Sequence, residues 1–343
     1  MSIIYLFSFI LLAFSYSTVN SLVPKPTTYK EGERTCRLNE DLPIEHAYSY
    51  CLILNDAVEE FSKRLVKTSQ HLHNKETSCS IDKMTISITD ECDESYGDLW
   101  PSEKMKESYK IVISDEKIEI TSTEVWGTLH ALQTVLQLAH RNAFGTLVIN
   151  ESTIEDSPQF THRGFVVNTA AHFISVDVLE NFLKWGPITP VVWEDAFENG
   201  YRPTKQNPVF QVWKDSQRQE RVKNITSAGY RVILSSCFRI FANNYVEHWY
   251  PYYECDPRDF SESEQEKQLV IGGEAFVVGD FVDDTILFTR SWPEGAVVAE
   301  RLWSQGEFKI EEFIPRLTEL RCRMLDFGLN AKPLNEPKSC LQL

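Results

Sequence analysis

Residues 180–197, ENFLKWGPITPVVWEDAF, join the end of an amphipathic helix to a buried strand through one short turn. With the residues just before them, they place four apolar side chains on one helical face: Val178, Leu179, Phe182 and Leu183. Pro187 and Pro190 end that helix, and the apolar run at 191–193 is typical of a buried strand. The stretch decides the fold because it sets which helix leads into which strand.

Five apolar strands organise the chain around this stretch. They are RGFVVN (163–168), TPVVW (189–193), VFQVW (209–213), YRVILSS (230–236) and QLVIGGEAF (268–276). Helix-length segments, including one at 175–185, separate most of them, and this alternation predicts parallel pairing. Polar or aromatic residues follow the strands, namely Asn168, Trp193, Glu194, Asp195, Trp213, Lys214, Asp215, Ser235, Ser236 and Glu274. This placement is typical of the active face of a (β/α) barrel.

The chain before these strands predicts a small α/β layer domain. Residues 51–67 and 123–141 have helical periodicity, the second with Thr123 or Glu124 near its cap. Segments 83–90, 108–122 and 144–153 alternate as strands, with a turn at Asp115-Glu116. His130 and His140 fall on the second helix. The predicted fold class is therefore α/β: a leader at 1–21, an N-terminal domain at 22–160 and an incomplete (β/α) barrel at 161–343.

Composition and charge limit the classes of partner. The 343 residues include 42% hydrophobic and 12% aromatic residues, and the formal net charge is −16. An acidic chain without a Lys/Arg cluster argues against nucleic acid or an anionic membrane as partner. It suits a protein that works at acidic pH.

The first residues predict a secretory signal peptide. An apolar core from Ile3 to Phe14 is followed by small polar residues, with cleavage expected near Ser21. The alternative is an uncleaved anchor. Behind a signal peptide, eight cysteines predict disulfides. Four precede residue 93 and four follow residue 236, so bridges within each half are expected. Sequons at Asn150 and Asn224 predict two glycans.

Motifs for metal or nucleophilic chemistry are absent from the sequence. It contains no HExxH, GxSxG or paired CxxC pattern, and the cysteines lack metal-site spacing. We therefore expect no metal and no cofactor.

Six longer segments carry a family resemblance. They are VWGTLHALQT, INESTIEDSPQFTHRGF, VVWEDAF, VIGGEA, GAVVAERLWS and RCRMLDFGLNAKPLN. In this order they resemble the lysosomal β-N-acetylhexosaminidases, from about Cys51 to the C-terminus. The resemblance implies a secreted or lysosomal protein of glycan metabolism acting on terminal N-acetylhexosamine.

The resemblance also implies that the middle of the barrel is missing. In the family, three strand–helix units separate the first barrel strand from the one that resembles VVWEDAF. Here strands one, five, six, seven and eight are left, within the 181 residues from Arg163 to Leu343, against ~250 for a typical barrel. Because strand eight pairs with strand one in a closed barrel, the five should be contiguous. We expect an open, curled sheet whose edges are strands one and five.

The catalytic pair that the resemblance implies is absent from the sequence. In the family the substrate's acetamide oxygen attacks the anomeric carbon, a Glu protonates the leaving oxygen and the preceding Asp orients the acetamide. That pair lies in an HxGGDE motif at the end of strand four, which this chain lacks. No catalytic residue is therefore assigned. Glu194 and Asp195 are adjacent carboxylates at a strand end, but the family has a polar pair there as well, and we expect a structural or rim role.

Several substrate-binding positions differ from the family pattern. Arg163 and His172 match, whereas Asn168 stands for an Asp and Ala171 for the Arg that bonds sugar hydroxyls. Val278 stands for a Trp and Asp280 for a Glu after the last strand. Alanine cannot make the bidentate contact of an arginine. These substitutions weaken the predicted sugar pocket.

Other positions match the family's sugar site. The resemblance implies substrate binding by Arg163, Trp193, Trp213, Tyr253 and Asp280. Trp193 and Trp213 would form indole walls, and Tyr253, or Tyr252 by a shift of one, would meet the acetamide oxygen. The alternative for the two tryptophans is an ordinary core role.

The resemblance extends to cysteines and partners. It implies Cys51–Cys92 and Cys322–Cys340, with Cys237–Cys255 closing the loop after strand seven, which leaves Cys36–Cys79. Family enzymes are dimers that use residues near the last strands, and RSWPEGAVVAERLW keeps five of them: Trp292, Pro293, Glu300, Arg301 and Trp303. We expect a homodimer or a dimer with a complete paralogue; the alternative is a poorly folded product that is degraded.

These observations leave three functional hypotheses. The first is a family protein without hydrolytic activity. The second is an active hydrolase seen here as a splice form or incomplete gene sequence, although the substitutions in the retained strands count against it. The third is a non-catalytic glycan binder that uses Trp193 and Trp213.

Overall fold

The chain folds around two separate β-sheets. The computed structural model describes residues 22–68, 77–90, 92, 102, 104–114, 116–167, 191–200, 202, 209–240, 249–279, 282–334 and 340. Within these ranges no helix combines the length and the apolar character needed to cross a membrane. The first sheet belongs to the N-terminal half and the second to the C-terminal half.

The N-terminal sheet is mixed and carries two helices. Its strands are β1 (Thr28–Leu38), β2 (Ile44–Glu45), β3 (Cys79–Ile81), β4 (Lys83–Ile88), β5 (Tyr109–Ser114), β6 (Lys117–Ser122), β7 (His140–Arg141) and β8 (Leu147–Asp156). Their spatial order is β2-β4-β6-β5-β8-β1-β3, with β7 beside β8. Helices α1 (Leu52–Val66) and α2 (Val125–Leu138) pack on the face that bears Ile86, Ile111 and Ile120.

The predicted elements of this domain are present, and four strands were missed. Helices α1 and α2 and strands β4, β5, β6 and β8 lie where periodicity placed them. Strand β1 was missed because five consecutive residues of it, 30–34, are exposed and give no alternation. Strands β2, β3 and β7, of two or three residues each, are too short to show a period. His140 lies in β7 and not on α2, because Ala139 is extended and ends the helix.

The C-terminal sheet has the strand order expected of a barrel without its middle. Its strands are β9 (His162–Val167), β10 (Val191–Trp193), β11 (Val209–Val212), β12 (Arg231–Leu234), β13 (Arg239–Ile240) and β14 (Val270–Val277). The parallel order is β10-β11-β12-β14-β9, and the short β13 pairs with the end of β14. This matches strands five, six, seven, eight and one.

Over the residues that the structure describes, the sheet is open, as predicted. Among the described strands β9 and β10 do not pair with each other, so each forms an edge. Strands β14 and β9 approach closely at Gly272, where a Cβ would lie 1.8 Å from the backbone oxygen of His162. Only glycine fits there, which explains one glycine of the IGGEA segment.

Seven further helices surround this sheet. They are α3 (Glu194–Glu198), α4 (Arg218–Ser227), α5 (Tyr250–Glu254), α6 (Glu264–Gln268), α7 (Leu287–Ser291), α8 (Glu294–Trp303) and α9 (Ile310–Asp326) within the described residues. Helices α4 and α8 cover the outer face of the sheet, where Ile225 and Val298 pack on Phe210, Val232 and Val277. The opposite, inner face bears polar side chains.

Helix α8 joins the two halves of the chain. Trp303 packs in the N-terminal core and donates from Nε1 to Asp156 at 2.8 Å. Glu300 forms a two-bond ion pair with Arg316 at 2.6 and 3.1 Å, and both side chains are buried. The segment expected to face a partner subunit, Glu300, Arg301 and Trp303 included, is therefore buried within one chain.

Four disulfides cross-link the two halves separately. They are Cys36–Cys79, Cys51–Cys92, Cys237–Cys255 and Cys322–Cys340. These are the pairs expected from the resemblance. None joins the N-terminal sheet to the C-terminal one.

Candidate functional site

The inner face of the C-terminal sheet carries a network of polar side chains that are hydrogen-bonded to Glu274. His162 Nε2 lies 3.0 Å from Glu274 Oε1, while Gln211 Nε2 and Ser235 Oγ donate to Glu274 Oε2 at 2.6 and 3.1 Å. Glu274 is 7% exposed. It lies inside β14 and not at the strand end where the sequence placed it. Through its two oxygens, Glu274 of β14 is hydrogen-bonded to β9, to β11 and to Ser235, the residue that follows β12.

Beyond this layer, the carboxyl ends of β10 and β11 and the start of β13 hold what we term the strand-end cluster: Trp193, Asp195, Trp213, Lys214 and Arg239. The rings of Trp193 and Trp213 lie 5.6 Å apart at 48°. Trp193 is 51% exposed. The Arg239 guanidinium lies 5.5 Å from the centre of the Trp213 ring. The cluster offers exposed aromatic surface beside two cations.

Asp195 orients the second tryptophan of the cluster. Its Oδ2 accepts the Trp213 indole N–H at 2.8 Å, and its Oδ1 accepts from Lys214 Nζ. The hydrogen bond from Lys214 lowers the pKa of the Asp195 carboxyl. Asp195 is therefore an ionised side chain that positions Trp213.

Glu194 has a different environment, although it is the neighbour of Asp195. It is fully buried, and its two oxygens accept the backbone N–H groups of Trp213 and Lys214, each at 3.1 Å. Burial raises the pKa of its carboxyl. A raised pKa suits a general acid, but a side chain with no exposed surface and both oxygens bonded to backbone cannot reach a substrate. Glu194 therefore has a structural role: its hydrogen bonds link the end of β10 to the end of β11.

Arg163 lies away from the strand-end cluster. Strand side chains alternate between faces, and Arg163 points outward, opposite to His162 and Gly164. Its guanidinium bonds Glu107 and the Phe160 carbonyl and lies 4.9 Å from the Trp303 ring. These contacts lie at the interface between the N-terminal and C-terminal halves of the chain. They do not lie at the strand ends, where a sugar contact was expected.

Tyr253 packs in the protein core. It lies on α5, is 3% exposed and stacks on Phe313 with ring centres 4.4 Å apart. Burial raises the pKa of its hydroxyl to about 12. The alternative, Tyr252, donates its hydroxyl to the Arg239 carbonyl at 2.7 Å. The helical turn at 250–254 therefore places both side chains in packing roles.

The remaining predicted positions have mixed outcomes. Asn168, Ala171, His172 and Asp280 lie outside the described residues. Val278 is 8% exposed and takes part in the core. Asn150 lies on β8, where Thr35 and Glu31 bond its side chain, and Asn224 is exposed on α4. Over the described ranges, no group of three His, Cys, Asp or Glu side chains could hold a metal ion.

Sequence reasoning missed His162, Gln211 and Arg239, whereas Lys214 was placed correctly after its strand. Gln211 could have been found as a polar residue inside an otherwise apolar strand. Arg239 gave no such signal, since it follows the short turn at 236–238.

Two family descriptions match parts of the chain. Residues 22–138 match the family described as "beta-acetyl hexosaminidase like", and residues 179–306 match "Glycosyl hydrolase family 20, catalytic domain". The second match includes the whole strand-end cluster.

Curated relatives carry the same description. The human "Beta-hexosaminidase subunit beta" is 22% identical over 470 positions, covering 85% of this chain and 84% of the relative. "Beta-hexosaminidase A" of Caenorhabditis briggsae is 36% identical over 167 residues, covering 44% of this chain and 30% of the relative. Because the chain has 343 residues, at least 127 of the 470 positions (470 less 343) are human residues opposite gaps.

Solved structures share the fold. A chitobiase from Flavobacterium johnsoniae has a TM-score of 0.70 at 16% identity, covering 90% of this chain and 73% of its own. A β-N-acetylhexosaminidase from Streptomyces coelicolor has a TM-score of 0.68 at 13% identity, covering 94% and 99%.

Proposed function

Because the chain belongs to the β-N-acetylhexosaminidase family of glycoside hydrolases, we propose that it binds N-acetylhexosamine-containing glycans without hydrolysing them. The open sheet β10-β11-β12-β14-β9 is the observation that carries this proposal. The three units missing between its edges would need about 90 residues at ~30 per unit. At least 127 positions of the human relative lack a counterpart here, which leaves room for that loss.

The described carboxylates near the strand ends support a non-hydrolytic role. Glu194 is enclosed and tied to backbone, Asp195 is held by Trp213 and Lys214, and Glu274 is bonded by three side chains. A general acid must present a proton to the leaving oxygen. None of these three does so in its observed contacts.

The strand-end cluster supports binding. The half-exposed Trp193 and the adjacent Trp213 provide faces of the kind on which apolar sugar surfaces pack. Lys214 and Arg239 add donors that could meet sugar oxygens. The binding surface is shallow because the missing units would have supplied its other walls, so affinity in the millimolar range is expected.

Calorimetric titration with N-acetylglucosamine tests the binding proposal, and a chromogenic N-acetylglucosaminide tests the lack of turnover. We expect weak binding that Trp193→Ala removes and that Trp126→Ala, in the N-terminal half, does not. Turnover should equal a buffer blank. Turnover abolished by an oxazoline-type inhibitor would contradict the proposal and favour the active-hydrolase hypothesis.

We also propose that the chain works as a dimer, with itself or with a complete relative. The two sheet edges support this, because exposed edges and apolar surface favour association. Val191 and Trp193 on edge strand β10 are 41% and 51% exposed. Light scattering after size-exclusion chromatography should give twice the chain mass, and a folded monomer would contradict the proposal.

We further propose a secretory route, ending in the lysosome or outside the cell. Four disulfides support it, since such bridges persist in oxidising compartments. Glycans at Asn150 and Asn224 belong to the same proposal. Enzymatic deglycosylation should shift the secreted chain on a gel, and the Asn224→Gln variant should shift less. An unshifted chain would contradict glycosylation.

A further inference from the structure

A polar groove lies at one end of the N-terminal sheet, far along the chain from the strand-end cluster. Its volume is about 380 Å³, and eight of its twelve lining residues are Ser or Thr. The other four are Tyr109, Lys110, Glu155 and Asp156. The proposed function uses none of them.

A row of polar side chains crosses this end of the sheet in register. Thr28 of β1 lies opposite Glu155 of β8, Glu155 opposite Lys110 of β5, and Lys110 opposite Thr121 of β6. All four occupy the sheet face away from the helices. Neighbouring strands are ~4.8 Å apart, so the row presents hydroxyl, carboxylate, ammonium and hydroxyl groups side by side.

The floor of the groove is held in place by Asp156. This buried carboxylate accepts from Thr27 N, Ser157 N, Tyr109 Oη and Trp303 Nε1 at 2.8–2.9 Å. The donors come from the start of β1, the end of β8, β5 and helix α8. The Asp156 carboxylate is therefore fully hydrogen-bonded before any ligand binds.

The lining excludes most classes of ligand. It contains no aliphatic side chain, which argues against an apolar ligand. Lys110 is already paired with Glu155 at 2.7 Å, so a free anion would meet a neutralised cation beside a second carboxylate. The oxygens of Asp156 are occupied, which argues against a cation. What fits is a neutral molecule with many hydroxyl groups.

We propose that this groove binds a neutral saccharide of one or two residues. Sugars exchange hydrogen bonds with hydroxyl, carboxylate and ammonium groups at once, and the volume lies in the range of small-ligand sites. The groove is a second glycan site, independent of the strand-end cluster.

The test is saturation-transfer NMR on the full secreted chain carrying Trp193→Ala, so that the strand-end cluster does not contribute. The probes are free N-acetylglucosamine, mannose and galactose. We expect at least one sugar to bind, and Thr121→Val to weaken it about 3–10-fold through loss of one hydrogen bond. Thr153→Val is the matched control, because Thr153 lies two residues from Glu155 on the same strand and face, outside the lining.

The outcomes distinguish binding in the polar groove from binding at the strand-end cluster. Binding that survives Trp193→Ala and falls with Thr121→Val, but not with Thr153→Val, supports the groove. If none of the three sugars binds, or if Thr121→Val and Thr153→Val act alike, the proposal is wrong. Thermal unfolding of each variant checks that it is folded.

Discussion

Glu194 accepts the backbone N–H of Trp213 at 3.1 Å and thereby ties the end of β10 to the end of β11. A second bond, from the backbone N–H of Lys214, has the same length. Strand β10 is an edge of the open sheet, with only three paired residues. These two hydrogen bonds therefore anchor edge strand β10 to β11, next to both tryptophans of the strand-end cluster.

The first prediction concerns this tie. Glu194→Ala should lower the free energy of unfolding by about 1–3 kcal/mol, because backbone donors lose a buried acceptor. Denaturant titration followed by tryptophan fluorescence measures the change. Glu220→Ala, on the exposed side of α4, is the control and should change it little. An unaltered stability with altered activity would instead indicate a catalytic Glu194.

The second prediction concerns pH. Burial raises the pKa of Asp156, Glu194 and Glu294 above ordinary carboxyl values. Between the ordinary pKa of about 4 and these raised values the folded state holds more protons than the unfolded chain. The free energy of unfolding should therefore rise as pH falls through that window, and decline as pH rises through the folded pKa values.

Thermal unfolding at about pH 5 and about pH 7.5 checks this direction. The Tm should be higher at the acidic value. Glu294→Gln should flatten the dependence, because Glu294 is 4% exposed and its Oε2 has no hydrogen-bond partner. Glu220→Gln should leave it unchanged. A Tm that falls steadily on acidification would show that other groups control stability.

The third prediction concerns the hydrogen bonds of Asp156 at the interface between the two halves of the chain. Trp303→Phe keeps an aromatic ring but removes the N–H that bonds Asp156, and Tyr109→Phe removes a second donor to the same carboxylate. Each should cost about 1–3 kcal/mol. The two losses should not add, since they share one acceptor. Tyr50→Phe, at an exposed position, is the control; strictly additive costs would contradict a shared network.

The fourth prediction concerns the buried pair Glu300–Arg316. Arg316→Met leaves Glu300 buried without its partner and should cost about 3–5 kcal/mol. Arg218→Met, at an exposed ion pair on α4, should cost less than about 1 kcal/mol. Denaturant titration measures both. Equal effects would mean that the buried pair contributes no more than a surface one.

The order of the C-terminal strands could be predicted because the family resemblance implies it. RGFVVN and VIGGEA resemble strands that pair in a closed barrel, and removal of the middle leaves that pairing intact. The disulfides followed from the same resemblance. Side-chain direction could not be obtained in this way. Arg163 and His162 are adjacent, and only the packing of β9 against the N-terminal half decides which of them points inward.

Tyr253 shows a second limit. The four residues before it include three aromatic ones, Trp249, Tyr250 and Tyr252, so no pattern separates a residue facing a ligand from one facing the core. The structure places it against Phe313, more than fifty residues later in the chain. Such a contact depends on how α9 returns to the barrel half, which local periodicity does not describe.

The most direct test of the account is a single-turnover assay with the purified, folded chain in excess over a fluorogenic N-acetylglucosaminide. Excess protein reveals even a slow enzyme, since every substrate molecule can be bound. Loss of a general acid costs roughly 10²–10⁴-fold, and the orienting Asp is missing as well. We predict product formation equal to that with denatured protein; product that exceeds this background and disappears in Trp213→Ala would contradict the account.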